Sequence, residues 1–214
     1  MKLNTLARTG GIAATALTLS LGLAACGQDE PATSSDSTTQ SQDQNQDQSE
    51  PMADDASADT YGSGCAQVPA SGAGSFNGMA TAPVASAASA NPLLKTLVAA
   101  VTEAGLVDPL NSAPELTVFA PADPAFAAIP KKDMNAVMSD KQMLGSILKH
   151  HVVGEQISPD ELSGEFETLN GDKLTINGSG EMATIGDEKA QVLCGNIQTA
   201  NATVYVIDTV LMPS

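Results

Sequence analysis

The chain of 214 residues sets 25 acidic against 9 basic side chains, a net charge of −16, with no Trp and 3% aromatic residues. This balance excludes the basic, aromatic-laced surface that nucleic-acid binding requires, and it excludes charge-driven docking on an anionic membrane. A hydrophobic share of 42% is ample for one packed domain of ordinary size.

Lys2 and Arg8 form a positive n-region, and "GGIAATALTLSLGL" is an apolar h-region too short to span a bilayer. Residues 1–25 are therefore predicted to be a signal peptide. They close on Leu23-Ala24-Ala25-Cys26, which resembles the bacterial lipobox. In that motif small residues fit the peptidase cleft and the cysteine thiol receives a diacylglyceryl group. Cys26 is thus the expected lipid attachment, the plainer alternative being ordinary secretory cleavage beside a chance cysteine. Two or more acyl chains hold a protein stably to a membrane, at about 0.8 kcal/mol per buried methylene. The mature protein is expected to be exported and anchored on the outer face of the membrane or envelope, with part of it shed.

Residues 26–60 form the next unit, a polar tether. From Gly27 onward it lacks Lys, Arg and aromatics and carries nine acids. Such a segment cannot bury enough surface to offset its conformational entropy, so it is predicted to be disordered. As a flexible chain it would span about 30–35 Å on average, more with charge repulsion. Its "TSSDSTT" core is a candidate for O-linked sugar.

Residues 61–214 suit one domain, where seven lysines stand against sixteen acids. With Cys26 modified, Cys65 and Cys194 are left as an even pair in an exported chain. A bridge between them would close a loop of 129 residues. Two free thiols or a metal pair are the alternatives, and no C-x-x-C spacing favours the latter.

In chain order, the spacing predicts a helix from Asn91 as N-cap and Pro92 as first residue to Gly105. Its buried stripe is Leu94, Leu97, Val98 and Val101. "ELTVFA" (Glu115–Ala120) reads as a buried strand stopped by Pro121, and Asp123-Pro124 opens a short helix. "SDKQMLGSILKHH" is a further helix with Leu144, Ile147, Leu148 and His151 on one face. Ser158 to Glu161 has the form of a capping box. Beyond Phe166 the pattern changes to short strands separated by Asn-Gly and Gly-Asp turns. Helices first and strands later predict an α+β domain around a β-sheet core.

Three boxes carry a resemblance to a known family. "TVFAPADPAF" (Thr117–Phe126), "HHVV" (His150–Val153) and "VYVIDTVLMP" (Val204–Pro213) resemble the signature boxes of fasciclin domains, in order and spacing. "GCAQ", "VASAASANPLLKTL" and "TANATVYVIDTVLMP" are similar to the fasciclin-type surface and secreted antigens of mycobacteria. The resemblance implies one fasciclin domain, helices wrapped on a β-sheet wedge, with Cys65 bridged to Cys194. It also implies a high-GC Gram-positive source. Ala122 stands where the family usually has Thr, and His150 where it usually has Tyr, so the adhesive role of a Tyr-His pair is not carried over.

His150 and His151 are the chain's two histidines. Consecutive residues point about 100° apart on a helix and to opposite faces on a strand, so the two rings do not converge on one ion. No H-E-x-x-H spacing and no third ligand accompany them, and no metal or cofactor is expected. His151 is predicted to be a core residue bonded to backbone groups. His150 is expected to be partly exposed, and is the candidate for a recognition surface. No G-x-S-x-G is present, and Ser63 and Ser179 sit in Gly-rich turns without a base. Asp160-Glu161 and Asp187-Glu188 read as solvated pairs, Asn201 as a turn residue, and the eight methionines as gap-filling core. The function expected is non-enzymatic display of a monomeric domain, for adhesion or recognition of a host or envelope protein or glycan. The alternative is a lipoprotein that grips a lipid, sterol or glycan, which would need an apolar cavity.

Overall fold

The computed structural model describes residues 55–213. The predicted signal peptide, Cys26 and the tether up to residue 54 lie outside them. Among the described residues, no helix is long and apolar enough to cross a membrane.

The run Ala202–Ile207 forms strand β7, buried at all six positions. Its neighbours are β1 (Leu116–Pro121), parallel to it from Leu116↔Ala202 to Pro121↔Ile207, and β6 (Ala190–Gln198), antiparallel to it. Val204 and Val206 face the core shared with the helices, while Tyr205 and Ile207 face a second core inside the sheet. Burial on both faces is why this strand reads as a continuous apolar run instead of an alternating one.

β2 (Val152–Val153), β3 (Gly164–Glu167), β4 (Lys173–Asn177) and β5 (Thr184–Ile185) complete a seven-stranded sheet in the order β2-β1-β7-β6-β5-β4-β3. Val153 bridges Thr168, just beyond β3, so the two ends of the sheet meet and it curls into a wedge. Phe119, Leu162, Leu174, Ile176, Ile185 and Leu211 fill the interior with Tyr205. The Phe119 and Tyr205 rings stack with centroids 5.7 Å apart, and the Tyr205 hydroxyl donates to the Ile157 carbonyl at 2.8 Å.

Among the described residues, seven α-helices cover the outside: α1 (Phe76–Ala80), α2 (Val84–Ala90), α3 (Lys95–Glu103), α4 (Val107–Ser112), α5 (Asp123–Ala127), α6 (Lys131–Ser139) and α7 (Lys141–His150). The architecture is the expected α+β domain. Several local expectations differ. Asn91 ends α2 instead of opening α3, and its side chain accepts from the Leu93 amide in a tight turn. α3 starts at Lys95, and its stripe uses Ala100 where Val98 was expected. Its first turn is capped from a distance: the Asp123 carboxylate accepts from the Thr96 amide at 2.8 Å. Pro121 lies within β1 and not beyond it. Ser158 and Glu161 do pair through their side chains at 2.8 Å, but they close a turn and no helix follows.

The N-terminal edge of the domain is clasped to β6. Cys65 is disulfide-bonded to Cys194, and Tyr61 exchanges two backbone hydrogen bonds with Gly195. The Tyr61 ring lies where a Cβ on residue 195 would stand, so that position requires glycine. Residues 55–60, placed by composition in the tether, fold onto the domain: the Ala56 amide donates to Asn77, and Asn196 donates to the Asp59 carbonyl.

Candidate functional site

The end of α7 carries both histidines. Asp140 caps the helix by accepting from the Gln142 and Met143 amides, each at 3.0 Å. Its apolar stripe, Leu144, Ile147 and Leu148, is buried. The helix therefore delivers His150 and His151 into the protein, not to its surface.

His151 is 3% exposed. Its Nδ1 donates to the Ile147 carbonyl at 2.8 Å, and its Nε2 accepts from the Leu211 amide at 2.9 Å. One neutral tautomer satisfies both bonds, whereas a second ring proton would point at the Leu211 N–H. Burial lowers its pKa to about 4; the Ile147 bond opposes the shift and the neighbouring His150 adds to it. His151 is thus the core residue expected, and it latches α7 to the segment after β7.

His150 corrects its sequence reading. It is 4% exposed, buried and not at the surface, so it presents no recognition face. The cause lies 22 residues on, where the turn at Asn170-Gly171 folds against α7. His150 Nδ1 donates to Asp172 Oδ1 at 2.7 Å, Thr168 Oγ1 donates to the same oxygen, and Asn170 Nδ2 donates to Oδ2 at 2.8 Å. Ser146 Oγ donates in turn to Asn170 Oδ1 at 2.8 Å. Partial burial alone would raise the Asp172 pKa. Hydrogen bonds from Thr168, Asn170 and His150 outweigh it and hold the carboxyl at about 2.

Imidazole, carboxylate and hydroxyl meet here, but in an order unsuited to nucleophilic catalysis. A triad needs the imidazole between acid and hydroxyl, where it can take the hydroxyl proton. Here the carboxylate lies in the middle and both partners donate to it, so no base faces the Thr168 oxygen. The two histidine rings stand 6.5 Å apart at 86° and spend their Nδ1 atoms on different partners. Among the described residues no group of three His, Cys, Asp or Glu could hold a metal.

Ser63, Ser179, Asp160, Glu161, Asp187 and Glu188 are exposed and none joins this cluster. Asn201 does organise a turn: its Nδ2 donates to the Leu110 and Ala113 carbonyls, and its Oδ1 accepts from the Val84 amide. The methionines depart from expectation. Of those described, Met79 is buried, whereas Met143, Met182 and Met212 are exposed. Asp172 was missed by sequence reading. Its signal was the T-x-N-G-D spacing, legible as a turn but silent about what it docks against.

Comparison with known proteins gives consistent relationships. Residues 92–213 match the family model described as Fasciclin domain. The cell surface glycolipoprotein MPT83 of Mycobacterium tuberculosis is 46% identical over 170 residues, 76% of this chain and 76% of that protein. The immunogenic protein MPB70 of Mycobacterium bovis is 44% identical over 166 residues, covering 74% of this chain and 84% of its own length. Protein sll1483 of Synechocystis is 36% identical over 129 residues, 59% of this chain and 71% of that one. Among solved structures, a FAS1 domain pair from the insect cell adhesion molecule Fasciclin I aligns with a TM-score of 0.47 at 25% identity. The match covers 56% of this chain and 45% of that one.

Proposed function

Because the chain belongs to the fasciclin domain family, we propose that it is an exported, lipid-anchored surface protein displaying one rigid domain for adhesion or recognition, without chemistry of its own. The observation that carries this reading is the 46% identity, over 76% of the chain, with proteins named as cell surface glycolipoproteins. The lipobox-like Leu23-Ala24-Ala25-Cys26 supports the anchor. The word glycolipoprotein in the names of those relatives lends weight to sugar on the Ser/Thr-rich tether. The non-enzymatic part draws support from the histidines, whose described hydrogen bonds all serve packing. Since His150 is buried, the recognising face lies elsewhere on the domain, and its partner is an envelope or host protein or glycan.

Mass spectrometry of the mature protein is expected to show an acyl adduct on Cys26 that disappears in Cys26→Ser, with the variant released to the medium. An unmodified wild-type cysteine would sink the anchor. Cells displaying the protein should bind matrix or envelope material more strongly than cells displaying a chain without residues 61–214. Equal binding by both would remove the recognition reading.

A further inference from the structure

α6 has no fully buried residue, although it lies between two helices that do. The space beneath it is a cavity of about 450 Å³ bounded by α5, α6, α7 and the segment around Val210. Leu144, Ile147 and the His151 ring form its floor, Phe126 stands on one side, and Met134 and Val137 of α6 form the roof. Small-molecule sites commonly occupy about 300–1,000 Å³, whereas two other apolar cavities, one beside α2 to α4 and one between α2, α3 and the sheet, hold only about 120 and 30 Å³.

The polar groups of this cavity are few, and the charged ones are both carboxylates. Asp133 and Asp208, both exposed, line it together with Thr209, and no lysine does. His151 contributes ring carbons alone, because both of its nitrogens are engaged. Asp208 Oδ1 accepts from the Gln191 amide and the Thr209 hydroxyl, which fixes the carboxylate in place. Two carboxylates repel an anionic headgroup and accept hydrogen bonds from a hydroxyl. The methionine of the roof adapts to an irregular apolar guest.

We infer that this cavity binds an uncharged apolar molecule bearing a hydroxyl group, such as a long-chain or ring alcohol, and discriminates against the corresponding fatty-acid anion. The apolar body fills the space under α6, and the hydroxyl donates to Asp208 or Asp133 at the edge. Each methylene taken from water adds about fourfold in affinity.

The test uses the full exported chain carrying Cys26→Ser, so that neither its own acyl group nor detergent competes. Decan-1-ol and decanoate are titrated at about pH 7.5 while the methionine methyl signals are followed by NMR. Decan-1-ol is expected to shift Met134 and Met138 saturably, leaving the exposed Met143 and Met182 unmoved, with decanoate at least tenfold weaker. Val137→Phe, which fills the roof, should weaken decan-1-ol at least tenfold. Asp133→Asn with Asp208→Asn should narrow the gap between the two probes. No saturable shift at Met134 and Met138, or decanoate binding as tightly as decan-1-ol, would overturn the inference. The wild-type comparison decides the matter even if a variant fails to fold.

Discussion

At the scale of residues, His151 makes folding sensitive to acid. Its folded pKa, about 4, lies below the ordinary 6.5. Between those values the unfolded chain binds the proton and the folded one does not, so stability is full above about pH 6.5 and falls as pH drops toward 4. The loss expected from this ring is roughly 3 kcal/mol. Urea unfolding at about pH 7 and pH 4.5 should show it, and a flat profile would contradict the latch. Asp172 acts lower: its stabilisation is present above about 3.8 and is lost as pH falls through 2. Asp172→Ala strips Thr168, Asn170 and His150 of their common acceptor and should cost roughly 1–3 kcal/mol, read as a lowered urea midpoint. Of the two histidines only His151 was legible in the sequence, because Leu144, Ile147 and Leu148 announce its face of α7. His150 depends on a turn that no local spacing connects to it.

At the scale of elements, periodicity was informative wherever a face is buried and silent wherever it is not. β1, β7 and α7 were legible because their side chains meet a core. α6 was not, since it roofs a cavity and buries no residue completely. Capping signals misled for a related reason. The Ser158 hydroxyl donates to the Glu161 carboxylate, but the flanking Ile157 and Leu162 are both drawn into the sheet interior, and the chain turns back. Conversely, α3 begins where Asp123 reaches it, a cap supplied by another element. Asp123→Ala should destabilise the domain by about 1 kcal/mol, with the loss of amide protection concentrated at residues 95–97. Protection unchanged there would show that the α3 terminus is held by packing alone.

At the scale of the whole molecule, two devices close the domain: Val153 bridging Thr168 at the ends of the sheet, and the clasp of Tyr61 and Cys65 on β6. The second was legible from cysteine arithmetic, whereas its Tyr61–Gly195 half was not, because one glycine among 18 carries no label. Replacing Cys65 and Cys194 together by Ser should cost about 2–5 kcal/mol. Thermal unfolding of wild type and variant under non-reducing conditions measures it, and equal midpoints would show the backbone clasp to be sufficient. The clasp also ties the base of the tether to the domain, so that force applied through an anchor would first load β6 and not a loose end.

β7 lies between β1 and β6 in the sheet, and it is the last of the seven described strands to be synthesised. Neither β1 nor β6 has its principal partner until residues 202–207 are available, so the sheet cannot close before those residues have been made. A chain ending at residue 200 is accordingly expected to stay open to proteolysis, and protection of it would refute the point. In an exported chain this order of assembly has a use: the domain stays unfolded, and so free of a locked shape, until residues 202–207 are at hand to complete it.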